Sequence, residues 1–179
     1  MTILDFLPRP WRRRVRAGAG DDKTAPHLAL GRRGEELAAD FLRGLGFRLV
    51  AANFRLAVGR DRRGAVVRAE IDLVAYEGHT LCFVEVKTRA SDRFALPETN
   101  VDLRKQRQIT RAAQAYRRLL GLAGEPCRFD VVSVLLPPPD ETGRTRPPGL
   151  RLLRSFWTEE KFRKRRWGGA PDYQDGRSY

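Results

Sequence analysis

A chain of 179 residues, 41% of them hydrophobic and 9% aromatic, has enough apolar material for one domain with a proper core. Its two cysteines, Cys82 and Cys127, each lie inside an apolar run, which excludes both a disulfide framework and a paired-cysteine metal site, and no apolar stretch approaches the roughly 20 residues of a membrane span. A formal net charge of +13 calls for a polyanionic partner, because Arg and Lys gain affinity by neutralising phosphate and releasing counterions.

The first ten residues carry no basic segment ahead of an apolar run and no small-residue cleavage pattern, so a cytoplasmic location without a membrane partner is expected. Residues 1–26 mix Pro, Gly, Asp and Arg without periodicity and read as a basic, disordered arm, with Arg12, Arg13, Arg14 and Arg16 close together. Residues 27–158 form the expected domain, and residues 159–179, which include Lys161, Arg163, Lys164, Arg165 and Arg166, form a second basic tail.

Within the domain, Leu30, Leu37, Ala38, Phe41, Leu42 and Leu45 recur at helical spacing, and Gly44 and Gly46 supply a stop, predicting a helix over 30–45. On its helical wheel Glu36 falls opposite the apolar face, while Glu35 falls at the edge beside Ala38 and Leu42. Phe47-Arg48-Leu49-Val50 reads as a strand. Asn53-Phe54-Arg55-Leu56 and Val66-Val67-Arg68-Ala69 then read as a hairpin around a basic tip at 59–64 that holds Arg60, Arg62 and Arg63. Strands are predicted at 71–76 and 81–88 around Glu77-Gly78-His79, and again at 127–136. Between them a second helix starts near the N-cap Asp102 and ends at Gly121, with Ile109, Ala112, Ala113, Tyr116, Leu119 and Leu120 on one face. Arg104, Lys105, Arg107, Arg111, Arg117 and Arg118 occupy much of the remainder. A proline-rich loop at 137–148 precedes an edge strand at 150–153.

The period-two rule puts Leu81, Phe83, Glu85 and Lys87 on one face of their strand and Cys82, Val84, Val86 and Thr88 on the other. Two charges therefore follow two large apolar residues on one face, where a covered sheet opens. The preceding strand groups Glu70, Asp72 and Val74 against Ile71, Leu73 and Ala75, so the acidic ends of both strands should meet. A turn centred on Gly78-His79 sets Asp72 opposite Glu85, and one centred on Glu77-Gly78 sets Glu70 there instead. Facing carboxylates need a cation between them, and Mg²⁺ or Mn²⁺ held by Asp72 and Glu85, with Lys87 beside it, would meet that need and serve phosphodiester hydrolysis. Spacing alone favours an ordinary cross-strand salt-bridge cluster, since E-x-K on a strand is common. Glu35 reads equally as a third carboxylate or as a solvated glutamate of the first helix. His27 and His79 are isolated, no Ser, His and Asp grouping stands out, and Gly31-Arg32-Arg33-Gly34 lacks the Lys-Ser/Thr of a phosphate loop.

Five segments, Gly34-Glu35-Glu36-Leu37-Ala38, Glu70-Ile71-Asp72-Leu73-Val74, Phe83-Val84-Glu85-Val86-Lys87-Thr88-Arg89, Lys105-Gln106 and Arg128-Phe129-Asp130-Val131-Val132, resemble in order and spacing the YraN-like bacterial protein family. That family is similar to the PD-(D/E)xK nuclease superfamily, in particular to archaeal Holliday junction resolvases. The resemblance covers residues 30–136. It implies a restriction-endonuclease-like α/β domain, a mixed β-sheet flanked by α-helices, with Glu35 as the helix glutamate, Asp72 as the central metal ligand, and Glu85 and Lys87 as the E-x-K pair. With it, the site reading of Asp72, Glu85 and Lys87 is preferred to the salt-bridge cluster. Lys105 and Gln106 match a further family position that would contact phosphate or water, against a reading as solvated first-turn residues. Arg104 on the same helix and Arg62 and Arg63 on the hairpin would hold a nucleic-acid backbone. Typical relatives have a glycine before the glutamate and a shorter turn, whereas here Ala69 precedes Glu70 and the basic tip is lengthened. The expected activity is hydrolysis of DNA, with branched or flapped structures as candidate substrates and a two-fold pair of chains by analogy with resolvases. A protein that binds nucleic acid or assists assembly without turnover is the second reading, and RNA is a further substrate class.

Overall fold

The computed structural model describes residues 26–60, 63–90 and 101–162. Nearly all of the expected basic arm, Arg62 of the hairpin tip and most of the expected tail lie outside these residues.

The first apolar spacing folds as α1 (Pro26–Gly44), with Ala38 and Leu42 fully buried. Glu36 faces outward and pairs with Arg33 at 3.3 Å, as its wheel position predicts. Where the sequence pattern suggests four short strands, the chain forms two long ones, β1 (Arg48–Arg60) and β2 (Val66–Glu77), paired antiparallel from Arg48↔Tyr76 to Arg60↔Val66. The breaks in the pattern are absorbed inside the ladder. Register shifts fall between Leu49 and Ala51 and between Ala57 and Gly59, and Asn53 adopts a φ of 52°. Bulges of this kind bend and twist a strand without ending it.

β2 returns as β3 (Thr80–Arg89) through a two-residue turn at Gly78-His79, with Glu77 paired to Thr80 and Gly78 at φ 57°. Glycine takes that left-handed conformation at no steric cost, so the turn residue fixes the register. α2 (Leu103–Leu119) begins at Asp102, whose side chain accepts the Lys105 N–H at 2.7 Å, the cap read from the sequence. α2 provides the crossover that lets β4 (Cys127–Leu135) lie parallel to β3, and β5 (Gly149–Trp157) then pairs antiparallel along β4, longer than the predicted edge strand. The sheet order is β1-β2-β3-β4-β5. This is the mixed sheet flanked by helices that was expected, compatible with a restriction-endonuclease-like arrangement.

Each face of the sheet is closed by one helix. Under α2, a row of aromatic rings crosses the sheet from β1 to β5: Phe54–Tyr116 at 5.0 Å, Tyr116–Phe83 at 5.7 Å, Phe83–Phe129 at 5.7 Å and Phe129–Trp157 at 5.0 Å. Such pairs contribute about 0.5–1.5 kcal/mol each beyond their burial. Trp157 Nε1 also donates to Thr110 Oγ1 at 3.0 Å, tying α2 to the last strand. Under α1, Ala38 and Leu42 pack on Leu73, Ala75, Cys82, Val84 and Val132. After β5, a 3-10 turn (Glu159–Phe162) folds back on α2, where Glu159 accepts from Gln114 at 2.6 Å and Arg117 at 3.1 Å. No helix among the described residues is long and apolar enough to cross a membrane.

Candidate functional site

The antiparallel ladder between β2 and β3 ends at Leu73↔Val84. One step further the register sets Asp72 opposite Glu85, the outcome that a Gly78-His79 turn requires. There the strands part, and the Val86 N–H donates to Asp72 Oδ2 at 2.8 Å. A carboxylate thus takes the place of a backbone acceptor. The expected alternation along β2 is not kept through this point: Ile71, assigned by period two to the face of Leu73 and Ala75, packs instead with Val74 and Tyr76 in the core under α2. The phase slips by one residue at Asp72 because the strand leaves its partner there. On the other flank, Asn53 lies across from Asp72 between the pairs Ala52↔Leu73 and Phe54↔Ile71, at its own positive φ. Irregularity on both sides of Asp72 opens the sheet where the carboxylate sits.

β3 keeps its period. Leu81 and Phe83 enter the core under α2, Cys82, Val84 and Val86 the core under α1, and Glu85 follows Phe83 on the α2 side, 1% exposed. Lys87 Nζ donates to Glu85 Oε1 at 2.8 Å. Lys105, reaching down from the first turn of α2, places Nζ 3.1 Å from Glu85 Oε2. Apart from that ion pair, Oε2 is the one buried side-chain oxygen or nitrogen among the described residues without a hydrogen-bond partner.

The electrostatics follow from burial and crowding. Burial pushes the Asp72 carboxyl up to about 8, and the charge of Glu85 pushes it the same way. Glu35 on α1 is partly buried, and its carboxyl is raised by desolvation, with Glu70 and Glu85 adding and an Asn53 hydrogen bond and Lys105 opposing. Burial pulls Lys105 down, but Glu85 and Asp72 outweigh it and the net shift is upward. The fold therefore brings Glu35, Asp72, Glu85, Lys87 and Lys105 into one electrostatic cluster. Asn53 and Glu70 belong to it too, Glu70 pairing outward with Arg55 at 3.0 Å. Asn53 was not singled out from the sequence, although Asn is among the few residues that tolerate positive φ.

Other predicted residues lie elsewhere. Gln106 is buried, donates to the Val101 carbonyl at 2.7 Å and accepts from Lys161 at 3.0 Å, so its amide is committed to the fold. Arg104 is exposed on the outer side of α2 with Arg107, Arg111 and Arg118, whereas Arg117 turns inward to Glu159 and the Leu122 carbonyl. Arg63 is exposed at the hairpin tip, away from the carboxylates in sequence, and Arg62 is not described. Gly34 has a role that its place in a helical pattern does not reveal: a Cβ there would lie 1.8 Å from Thr88 Oγ1. Only glycine lets α1 lie this close to the end of β3, and the next residue is Glu35.

A second buried aspartate supplies an internal comparison. Asp130 on β4 sits where the β4–β5 register shifts between Phe129 and Val131, and it accepts the Ser155 N–H at 2.9 Å, with Ser155 at φ 52°. Like Asp72, it captures a backbone donor at a sheet irregularity. Asp130, however, is gripped by Arg128 Nε at 3.0 and 2.9 Å, and Arg128 also pairs with Glu77, which Arg154 holds at 2.7 Å. Asp72 makes no ion pair among the described residues.

Among the described residues no three His, Cys, Asp or Glu side chains are gathered as a ready metal site. Mg²⁺ is commonly held by only one or two carboxylates, with waters completing its shell, so the hard oxygens of Asp72 and Glu85 suit it. The unused lone pairs of the buried Glu85 Oε2 fit such an ion.

Residues 34–134, more than half of the chain and including each of these carboxylates, match the family described as "Uncharacterised protein family UPF0102". A UPF0102 protein of Chlorobium limicola is 39% identical over 134 residues, covering 75% of this chain and 95% of the relative. One from Symbiobacterium thermophilum is 44% identical over 117 residues, covering 65% of this chain and 88% of the relative, and one from Geotalea daltonii is 40% identical over 120 residues, covering 67% and 83%. By the extent of the family match and the identity shared with these relatives, the chain belongs to the UPF0102, YraN-like family.

Proposed function

We propose that this protein is a metal-dependent endonuclease that hydrolyses phosphodiester bonds of DNA, with Asp72 and Glu85 holding Mg²⁺ or Mn²⁺ and Lys87 acting beside them. The observation that carries this reading is the contrast between the two buried aspartates: Asp130 has its own arginine, whereas Asp72 faces Glu85 without a cation of its own. A structural carboxylate buried for stability is normally accompanied by its counter-ion. One left without it at a sheet opening suits a cation that comes from solution.

A bound divalent ion would supply Lewis acidity and lower the pKa of a coordinated water. The chain's own groups would do the rest. Asp72, fixed by the Val86 N–H, and Glu85, fixed by burial, hold their oxygens in place before substrate arrives, which reduces reorganisation during reaction. Lys87 lies on the same strand face as Glu85 and would release Oε1 to orient a water or to meet charge developing on the phosphate. Glu35 brings a further carboxylate from α1. Arg104, Arg107, Arg111 and Arg118 recur at three- and four-residue spacings or their sum, so they share one outer face of α2. At 1.5 Å per residue that row is about 21 Å long and begins one residue from Lys105, suiting a nucleic-acid backbone led toward the carboxylates. The proposed partner is therefore DNA, with a two-fold pair of chains as the arrangement that would present two sites.

Binding without turnover is favoured by one specific observation: both Glu85 oxygens already face ammonium groups. A labelled panel of duplex, single strand, flap, four-way junction and RNA, incubated with Mg²⁺, Mn²⁺ or EDTA, separates the readings. Cutting of DNA with metal and none with EDTA is the expected result. Tight binding with no cutting in either metal would overturn the nuclease reading in favour of the second, and cutting of RNA alone would overturn the assignment of DNA.

A further inference from the structure

We infer that Lys105 is an internal stand-in for the divalent ion: its ammonium fills the cation position of the carboxylate cluster in the metal-free protein and is displaced when metal enters. The inference rests on the metal reading proposed above and adds a residue-level competition to it.

Two observations carry it. Lys105 Nζ lies 3.1 Å from Glu85 Oε2, and apart from this ion pair that buried oxygen has no hydrogen-bond partner among the described residues, so the ammonium stands where a cation serving Oε2 would stand.

Lys105 is also placed against local preference. It is the third residue of α2, its N–H taken by the Asp102 cap, in a first turn without any acidic residue. The helix dipole favours anions there and disfavours a cation. Local rules broken in this way are expected at functional positions rather than in structural ones. Lys87 differs: it donates to Oε1 from the same strand as its partner, whereas Lys105 reaches Oε2 from the neighbouring helix.

The test is Mn²⁺ binding to the full chain, measured by calorimetry or by the free-ion paramagnetic signal, for wild type, Lys105→Met and Lys105→Arg. Removing the competing charge should tighten Mn²⁺ binding by roughly tenfold or more, as expected for a unit charge lifted from a buried carboxylate. Lys105→Arg, which keeps the charge, should bind no more tightly than wild type. Equal or weaker binding by Lys105→Met would overturn the inference while leaving the metal reading intact. Absence of Mn²⁺ binding in both wild type and Lys105→Met would overturn the metal reading itself. A second readout needs no variant: amine acylation of Lys105, followed by peptide mass spectrometry, should speed up when Mn²⁺ is added. An unchanged rate at saturating bound Mn²⁺ would equally refute displacement.

Discussion

Asp72→Asn should make the protein more stable, and increasingly so as pH rises. The asparagine keeps an oxygen to accept the Val86 N–H at 2.8 Å but cannot ionise. In the wild type, burial and the nearby Glu85 raise the Asp72 carboxyl from 3.8 to about 8, so the folded protein binds this proton more tightly than the unfolded chain does. The contribution of Asp72 therefore favours the fold fully below the unfolded value, near pH 4, and is lost as pH rises through about 8. At about 1.36 kcal/mol per unit the whole shift corresponds to a ceiling of ~5–6 kcal/mol. Asp72 and Glu85 share that shift as a coupled pair, and Lys105 is free to move closer to the remaining charge, which leaves ~1–3 kcal/mol for the single substitution at pH 8.5. At roughly 2–4 °C per kcal/mol, melting temperature should rise by several degrees. Thermal melts of both proteins between pH 5 and 9, in EDTA, measure the difference directly. An advantage that shrinks as pH rises, or an Asp72→Asn protein less stable than wild type at pH 8.5, would refute the reasoning. Added Mn²⁺ should stabilise wild type more than the variant, since a ligand stabilises only the state that binds it.

Gly34→Ala should cost about 1–3 kcal/mol, the range for forcing extra volume into a packed contact, because its Cβ would fall 1.8 Å from Thr88 Oγ1. Thr88→Ala in the same chain should recover part of that loss in a double-mutant cycle of urea melts, and independent, additive losses would contradict the close approach. Asp130→Ala should destabilise by about 1–3 kcal/mol by leaving the Ser155 N–H and the half-buried Arg128 guanidinium without their shared carboxylate, yet leave Mn²⁺ affinity of the folded protein unchanged. A matching loss of Mn²⁺ affinity would undo the contrast drawn between the two aspartates. Arg107→Ala and Arg111→Ala should each flatten the salt dependence of DNA binding by about one unit of slope, as for a lost phosphate contact. Unchanged slopes would remove the outer face of α2 from the interface.

Much of the candidate site is legible because strand periodicity is strict. Glu85 and Lys87 share a face with Leu81 and Phe83 through simple alternation, and a two-residue turn leaves one register once its centre is known. The helical wheel sets Glu36 outward, where it is exposed, and Glu35 at the edge of the apolar face, where it is half-buried. The phase slip at Asp72 was not legible, because it arises where β2 leaves β3, and a side chain that replaces a ladder acceptor has no period to betray it. The same limit hid the long β1: a bulge and a positive-φ asparagine look in sequence like strand ends. Lys105 and Gln106 are adjacent in the chain and were read together, but a helix turns about 100° between neighbours. One points into the carboxylates and the other into the loop before α2. The closeness of α1 to Thr88 depends on tertiary packing, which a lone helical glycine does not announce.

The central claim is tested most directly by single-turnover cleavage of labelled DNA, using whichever structure in the panel is cut best, by wild type and Glu85→Ala purified identically and saturated with Mn²⁺. The account predicts a rate at least a hundredfold lower in Glu85→Ala, since the substitution removes an oxygen pair fixed at the reacting centre, with DNA binding retained. Equal rates in the two proteins would contradict it and place the cutting outside this site.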